Sequence, residues 1–477
     1  MQYDVAIIGA GVVGAAVARE LTRLGARVTM LEKESDVATG ASRANSGIVH
    51  AGFDAKEGSL KARLNVRGSE MMADLCRRLD VTYDPCGSLV VAFGAEEDET
   101  LLALCERGRR NGVKGLAILS GDEAREREPA LSLDVTSALY APTGAVVCPY
   151  ELTVALAGVA IQNGAHLLTE APVEDMVYDG ERWHLTTPKG EVLATYAVNC
   201  AGVYSDRVAA LAGDLGRFSV TARKGEYLLL DREAEGLVRH TVFMAPSKMG
   251  KGVLVSPTAH GNVIVGPTAL DIDEKDDLST TPEGLAQVRS LAAKSVPSIP
   301  FGKGITCFSG LRAVGSLGDF VIDMPRPHFV NCAAIESPGL SASPAIAEYV
   351  AGLLREAGLA LSAREDFADT YVSAVAFRRL SAEQKNEIIR RDPRYGRIVC
   401  RCETVTEGEL VEAIHKEPRP TTMDGLKRRT RCGMGRCQGG FCTPYVTEIL
   451  ARETGRDLLS VTRSGEGSAL LVGRTKE

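Results

Sequence analysis

Apolar and polar positions change period twice within the first stretch of the chain. Tyr3-Asp-Val-Ala-Ile-Ile-Gly9 is an almost unbroken apolar run that predicts a buried strand. Gly9-Ala-Gly11-Val-Val-Gly14 then opens a helical pattern reaching about Leu24, and residues 26–31 form a second strand that stops at Glu32. Farther on, residues 86–149 and 221–304 read as alternating strands, for example Glu226-Tyr-Leu-Leu-Leu-Asp231 and Gly252-Val-Leu-Val-Ser256, which suits an antiparallel sheet. The charged stretch 377–397 reads either as linker or as a helix docked on the body. Near the end, Thr406 and Glu409 form a capping box, Pro444 takes a first-turn position, and Gly455 closes a helix over 445–453. Three short helices are expected there.

The first of these patterns carries chemistry. Gly9 permits a tight turn, Gly11 lets the backbone approach a pyrophosphate, and Gly14 lets helix meet strand, while the helix N-terminus offers unpaired N–H groups to phosphates. Glu32 then suits the ribose hydroxyls. No second fingerprint of this kind follows, so one dinucleotide is expected. The loop Thr39-Gly-Ala-Ser42-Arg43-Ala-Asn45-Ser46-Gly47-Ile-Val-His50-Ala-Gly52, rich in small polar residues, favours FAD over NAD.

Cysteine supplies the second centre. Cys400-Arg-Cys402 and Cys432-Gly-Met-Gly-Arg-Cys437-Gln-Gly-Gly-Phe-Cys442 are too closely spaced to pack as a core, and read as ligands of an electron-carrying centre. Their spacers of one and four residues favour iron–sulfur over zinc, which usually pairs its ligands across two. Disulfides fit poorly with a long chain that begins in a strand without an apolar secretion segment. Arg401, Arg428, Arg429, Arg431 and Arg436 are expected to offset the thiolate charge.

On these residues the chain resembles two families. The segment from Cys400 to Cys442 is similar to the bacterioferritin-associated-ferredoxin-like module, which implies a 2Fe-2S cluster on Cys400, Cys402, Cys437 and Cys442, with Cys432 as a spare thiol beside it. The Gly9 turn, the Thr39–Gly52 loop, Asn199-Cys-Ala201-Gly202 and Ser337-Pro-Gly339-Leu340-Ser341 resemble the D-amino-acid-oxidase-like flavoproteins. That likeness implies cofactor contacts from Gly9, Gly11, Gly14, Glu32, Ser42, Asn45, Ser46, Gly47, Val173, Ala201, Gly202, Gly339, Leu340 and Ser341. The fold it implies is α/β: a Rossmann-like FAD-binding domain (1–85, 150–220 and 305–360) with an antiparallel β-rich substrate domain (86–149 and 221–304). A linker (361–397) leads to a small α-helical C-terminal iron–sulfur domain (398–460).

Composition agrees. The chain has 477 residues, enough for two or three cores, and its net charge of −7 argues against nucleic acid. No stretch is apolar enough to span a membrane, so a cytoplasmic protein, membrane-associated only through a partner, is expected.

A flavin accepts electrons in pairs and a cluster singly, so their combination implies a dehydrogenase. Alcohol oxidation needs a base and, for an anionic substrate, a cation. His50 is the candidate base, against a histidine satisfied within its turn, and Arg312 is the candidate clamp, against a surface arginine. Lys224 and Lys251 are weaker substrate-binding candidates that also read as solvated strand ends. The joint architecture resembles the catalytic subunits of anaerobic glycerol-3-phosphate dehydrogenases, whereas the loop around His50 is closer to the L-2-hydroxyglutarate branch. Amine or hydroxyproline-like oxidation stands third, and a redox relay or iron-handling adaptor is the reading from another class. A companion electron-transfer subunit, a flavoprotein or a membrane-anchored iron–sulfur protein, is the expected partner.

Overall fold

The computed structural model describes residues 2–246 and 252–475. Strand Gln2–Ile8 is central in an eight-stranded sheet, parallel to Val28–Leu31 on one side and to Gly190–Asn199 on the other. His166–Leu168 continues the parallel order, Phe329–Ala333 joins the end of Gly190–Asn199, and Asp175–Tyr178 and Trp183–Thr187 add an antiparallel flank. Along the central strand, Val5 and Ile7 enter one core, where Ala15, Leu21, Val159 and Ile346 come from helices Val12–Arg23, Pro149–Gln162 and Gly339–Glu356. Ala6 and Ile8 enter another, with Trp183 and Phe329. Burial on both faces is why this strand reads as a continuous apolar run.

The second sheet has nine strands and is built on one long antiparallel pair, Val220–Leu230 with Gly304–Gly315. Its pairings are antiparallel except that Thr241–Met244 runs parallel to Ser88–Ala92. The segment 305–360 therefore begins in this sheet and enters the cofactor sheet only with Val321–Arg326 and Phe329–Ala333.

The expectation of alternating strands through 86–149 and 221–304 is corrected by the helices Ala95–Arg110, Gly121–Arg127 and Pro282–Ser295. In the first, Leu101, Leu104, Cys105 and Gly108 are the buried positions, and steps of three and four are a helical face. Glu96, Glu97 and Asp98 in its first turn and Arg107, Arg109 and Arg110 in its last complement the helix dipole.

At the C-terminus, helices Glu407–Ile414, Met423–Thr430 and Thr443–Thr454 enclose a core of their own around Leu410, Leu426 and Leu450. The Thr406 capping box is formed, and Gly455 ends the last helix in the left-handed region. The charged stretch before this module holds the exposed helix Ala382–Arg391, while upstream of it Tyr371 is buried in the body's main core. Among the described residues no helix is long and apolar enough to cross a membrane.

Strand Gly304–Gly315 of the second sheet crosses the loop after Val28–Leu31 at Gly310, where a Cβ would lie 1.9 Å from the Ala44 carbonyl oxygen. Gly310→Ala should therefore lower stability by about 1–3 kcal/mol through overpacking. Its neighbour Ser309 has a buried hydroxyl without a partner among the described residues, so Ser309→Ala should be neutral or stabilising. Thermal denaturation of the two variants side by side checks both.

Candidate functional site

Gly9 has φ +102°, and a Cβ at Gly14 would lie 2.0 Å from the Gly9 carbonyl oxygen. Glycines at these positions let helix Val12–Arg23 start directly above the strand end. Beside this turn opens a cavity of about 620 Å³, a volume typical of cofactor sites.

At the turn, Gly9, Gly11 and Glu32 line the cavity. The buried Glu32 carboxylate accepts the N–H groups of Ala10 (2.8 Å) and Glu34 (3.0 Å); burial outweighs these bonds and pushes its pKa up. Ser42 Oγ accepts the Val12 N–H at 2.9 Å, satisfying one free donor of the helix N-terminus. Asn45 fixes the loop by donating to the Ala41 carbonyl and accepting the Gly47 N–H, both at 2.8 Å. Val173, Ala201, Gly202, Ser46, Gly339 and Leu340 also face the cavity. Gly14, Gly47 and Ser341 do not line it; they shape the turn, the loop and the seat of His50, whose N–H donates to Ser341 Oγ at 2.8 Å.

His50 lines the cavity, with Nε2 3.2 Å from Ser337 Oγ and its ring stacked on Phe243. Arg312 lines it too, its Nη2 donating to the Thr268 carbonyl at 2.7 Å. Tyr227 also lines the cavity, packs with Ile48, Leu254 and Phe243, and senses the charge of Arg312.

Lys224 is placed elsewhere. Neighbours in a strand point to opposite faces, so with Tyr227 facing the cavity Lys224 lies on the other side of Val220–Leu230, its Nζ 2.7 Å from Asp277 Oδ2. Lys251 lies outside the described residues. Sequence reasoning missed Tyr227, Phe243, Lys275, Arg428 and Ser464 as lining residues. Tyr227 was open to the period-two pattern; Arg428 and Ser464 arrive from the far end of the chain and leave no local signal.

In the C-terminal module the thiols form two groups. Cys402 and Cys437 have their sulfurs 3.5 Å apart, and those of Cys400, Cys432 and Cys442 lie within 4.8 Å of one another. Paired thiols at such separations suit irons held by two protein sulfurs each, and Cys432 lies beside Cys400 and Cys442.

Four of the five arginines expected to offset thiolate charge find carboxylate partners. Arg428 and Arg429 both donate to Asp36 of the body, Arg431 donates to Glu403, and Arg436 reaches Asp231 and Glu233. Burial pushes Asp36 up, but the two guanidiniums more than reverse it and hold its carboxyl below the ordinary value. Arg378 and Arg232 complete the shell of Glu403, and Arg431 also donates to Tyr150 and Asn262. Next to this seam, His260 Nδ1 accepts from Arg378 and Arg379, while its Nε2 lies 2.7 Å from Glu151 Oε1. Burial outweighs the pull of Glu151 and holds His260 below its usual pKa.

Residues 4–353 match the family described as FAD dependent oxidoreductase, and residues 398–452 match the BFD-like [2Fe-2S] binding domain. The chain is 44% identical over 476 residues to a glycerol 3-phosphate dehydrogenase of Caloramator mitchellensis, covering 99% of both. It is 33% identical over 291 residues to a mitochondrial L-2-hydroxyglutarate dehydrogenase of Bos taurus, covering 56% of this chain and 61% of that one. The dithionite-reduced L-alpha-glycerophosphate oxidase from Mycoplasma pneumoniae with FAD bound superposes with a TM-score of 0.74 at 30% identity, over 78% of this chain and 98% of that one.

Glu151 yields a pH prediction. Burial raises its pKa, but His260, Arg431 and Arg379 together lower it to about 2. A carboxyl depressed on folding adds stability that is complete above the ordinary glutamate range and is lost as pH falls toward about 2. Glu151→Gln should be less stable than the parent at pH 7, and the gap should close between about pH 4.5 and 2 in urea denaturation.

Proposed function

The chain belongs to the FAD dependent oxidoreductase family, carries a C-terminal 2Fe-2S binding domain, and from that premise we propose that it oxidises sn-glycerol 3-phosphate to dihydroxyacetone phosphate. The likeness to a glycerol 3-phosphate dehydrogenase over the full length of both chains supports this substrate. The observation that carries the reading is Arg312, a guanidinium in the cavity wall with one bond to a backbone carbonyl and a planar fork suited to a phosphate.

FAD bound in the cavity supplies a hydride acceptor, and the cluster supplies a one-electron outlet. The chain's residues do the rest. Glu32 and the backbone of the Gly9–Gly14 turn hold the adenosine half, with Ser42, Asn45 and Ser46 shaping the loop along it. Arg312 orients the phosphate. His50 takes the hydroxyl proton at Nε2, the nitrogen now facing Ser337 Oγ, while Phe243 fixes the ring plane. Tyr227, Phe243 and Leu254 give this end of the cavity an apolar wall that excludes water. The proposed cluster ligands are Cys400, Cys402, Cys437 and Cys442.

Electrons then leave to a partner subunit. Phe441, next to Cys442, is 82% exposed, and Tyr445 and Ile398 of the module are also exposed. An apolar surface beside the cluster suits a protein acceptor, which would bring a protein without a membrane-spanning helix among its described residues to a membrane.

Two experiments test this. Anaerobic sn-glycerol 3-phosphate should bleach the flavin band and yield dihydroxyacetone phosphate; bleaching by L-2-hydroxyglutarate alone would transfer the activity to that acid, and bleaching only with a partner present would make the chain a relay. Arg312→Ala should raise KM about 10–100-fold, and His50→Asn should lower kcat about 10²–10⁴-fold. Among the cysteines, replacement of 400, 402, 437 or 442 by serine should abolish iron–sulfur absorption with FAD retained, whereas Cys432→Ser should keep it.

A further inference from the structure

The cavity that takes the dinucleotide is not closed by the body alone. Arg428 of helix Met423–Thr430 and Ser464 of the tail both line it. They come in beside Ser35 and Asp36, a few residues beyond Glu32: Ser35 Oγ donates to the Ser464 carbonyl at 2.8 Å, and Arg428 Nη2 donates to Asp36 Oδ2 at 2.6 Å. Arg43 of the cofactor loop leans toward the same helix, 4.0 Å from Asp424. The module therefore touches the end of the cavity built from the Gly9 turn and Glu32, where the phosphates and ribose belong.

Arg428 and its neighbour Arg429 share a carboxylate but not a situation. Arg429 is saturated: its guanidinium makes two bonds to Asp36, two to the Pro418 carbonyl and one to the Gly425 carbonyl. Arg428 is 5% exposed, donates to Asp36 from Nη2, and its Nε, shut off from solvent, has no hydrogen-bond partner among the described residues. A guanidinium carries five donors, and a buried one left unmatched costs stability unless something else meets it. Asp36 engages only Nη2, so this guanidinium, lining the cavity at the phosphate end, keeps donor capacity for an anionic ligand that the fully engaged Arg429 lacks.

We propose that Arg428 of the iron–sulfur module binds FAD directly, donating to the phosphate-bearing adenosine half, so that dinucleotide binding and docking of the module are one coupled equilibrium. This rests on FAD as the occupant of the cavity. By linkage, whatever Arg428 adds to FAD affinity FAD returns to module docking. The coupling gives the chain a way to hold its cluster module firmly only when the flavin that feeds it is in place.

The test is FAD titration of the apoprotein, followed by quenching of flavin fluorescence, with iron content measured on each sample. Arg428→Gln should raise the FAD dissociation constant about tenfold or more, Arg428→Lys should recover part of it, and Arg429→Gln should stay within about twofold. Asp36 keeps its pair with Arg429 in the first variant, so the seam survives. As a second readout, FAD should slow proteolysis between the body and the module in the parent chain and do so less in Arg428→Gln. Equal FAD affinity in Arg428→Gln and the parent overturns the proposal, as does an equal loss in both glutamine variants, which assigns the effect to the ion pair with Asp36. Failure of the parent apoprotein to bind FAD at all overturns the flavin reading itself, a result distinguishable from the other two.

Discussion

A carboxylate taken out of water has to be paired, and Asp36 and Glu403 are both buried where the C-terminal module meets the body. Arg428 and Arg429 reach from the module to Asp36; Arg431 from the module, Arg378 from the charged stretch before it and Arg232 from the turn after strand Val220–Leu230 surround Glu403. Sliding the module along the body would strand a buried charge, at a cost of several kcal/mol. The module therefore has one seat. Glu403 follows Cys402 in sequence, and Arg232 also donates to the Cys402 carbonyl, so the seat fixes the cysteine loop together with the helices.

The same constraint shapes the cavity. The first sheet contributes the Gly9 turn and Glu32, the second contributes Tyr227 and Arg312, and the module contributes Arg428. The second sheet touches the loop that follows Val28–Leu31 at Gly310 and Ala44 with no room for a side chain, which brings the loop of Asn45 and Ser46 against the strand of Arg312. Binding groups at both ends of the cavity thus depend on contacts between parts far apart in sequence, while the chemistry proposed for it is concentrated on a histidine seated by Ser341 and Ser337.

What the sequence discloses follows the range of the interaction. The Gly9–Gly14 turn, the paired cysteines and the Thr406 capping box are local devices, legible because each works within a few residues. The helix Ala95–Arg110 was equally local, since its buried positions step by three and four, but a reading set for alternation passed over it. Lys224 shows the cost of ignoring pleat: one position along the strand, Gly225 and Tyr227 lie on the other face. Proximity in sequence suggests the arginines near the cysteines as counter-charges to thiolate, whereas Arg428, Arg429 and Arg436 pair with Asp36, Asp231 and Glu233 on the body. Long-range pairing of this kind has no periodicity, and so neither Arg428 nor Ser464 could be placed at the cavity from the chain alone.

The proposed function makes body and module one unit in which electrons pass internally from flavin to cluster. Its most direct test is anaerobic stopped-flow mixing with sn-glycerol 3-phosphate, following the flavin and iron–sulfur bands separately over a wide range of enzyme concentration. Cluster reduction should follow flavin reduction at a rate independent of enzyme concentration. A cluster that stays oxidised beside reduced flavin, or one whose reduction rate rises in proportion to enzyme concentration, would contradict it.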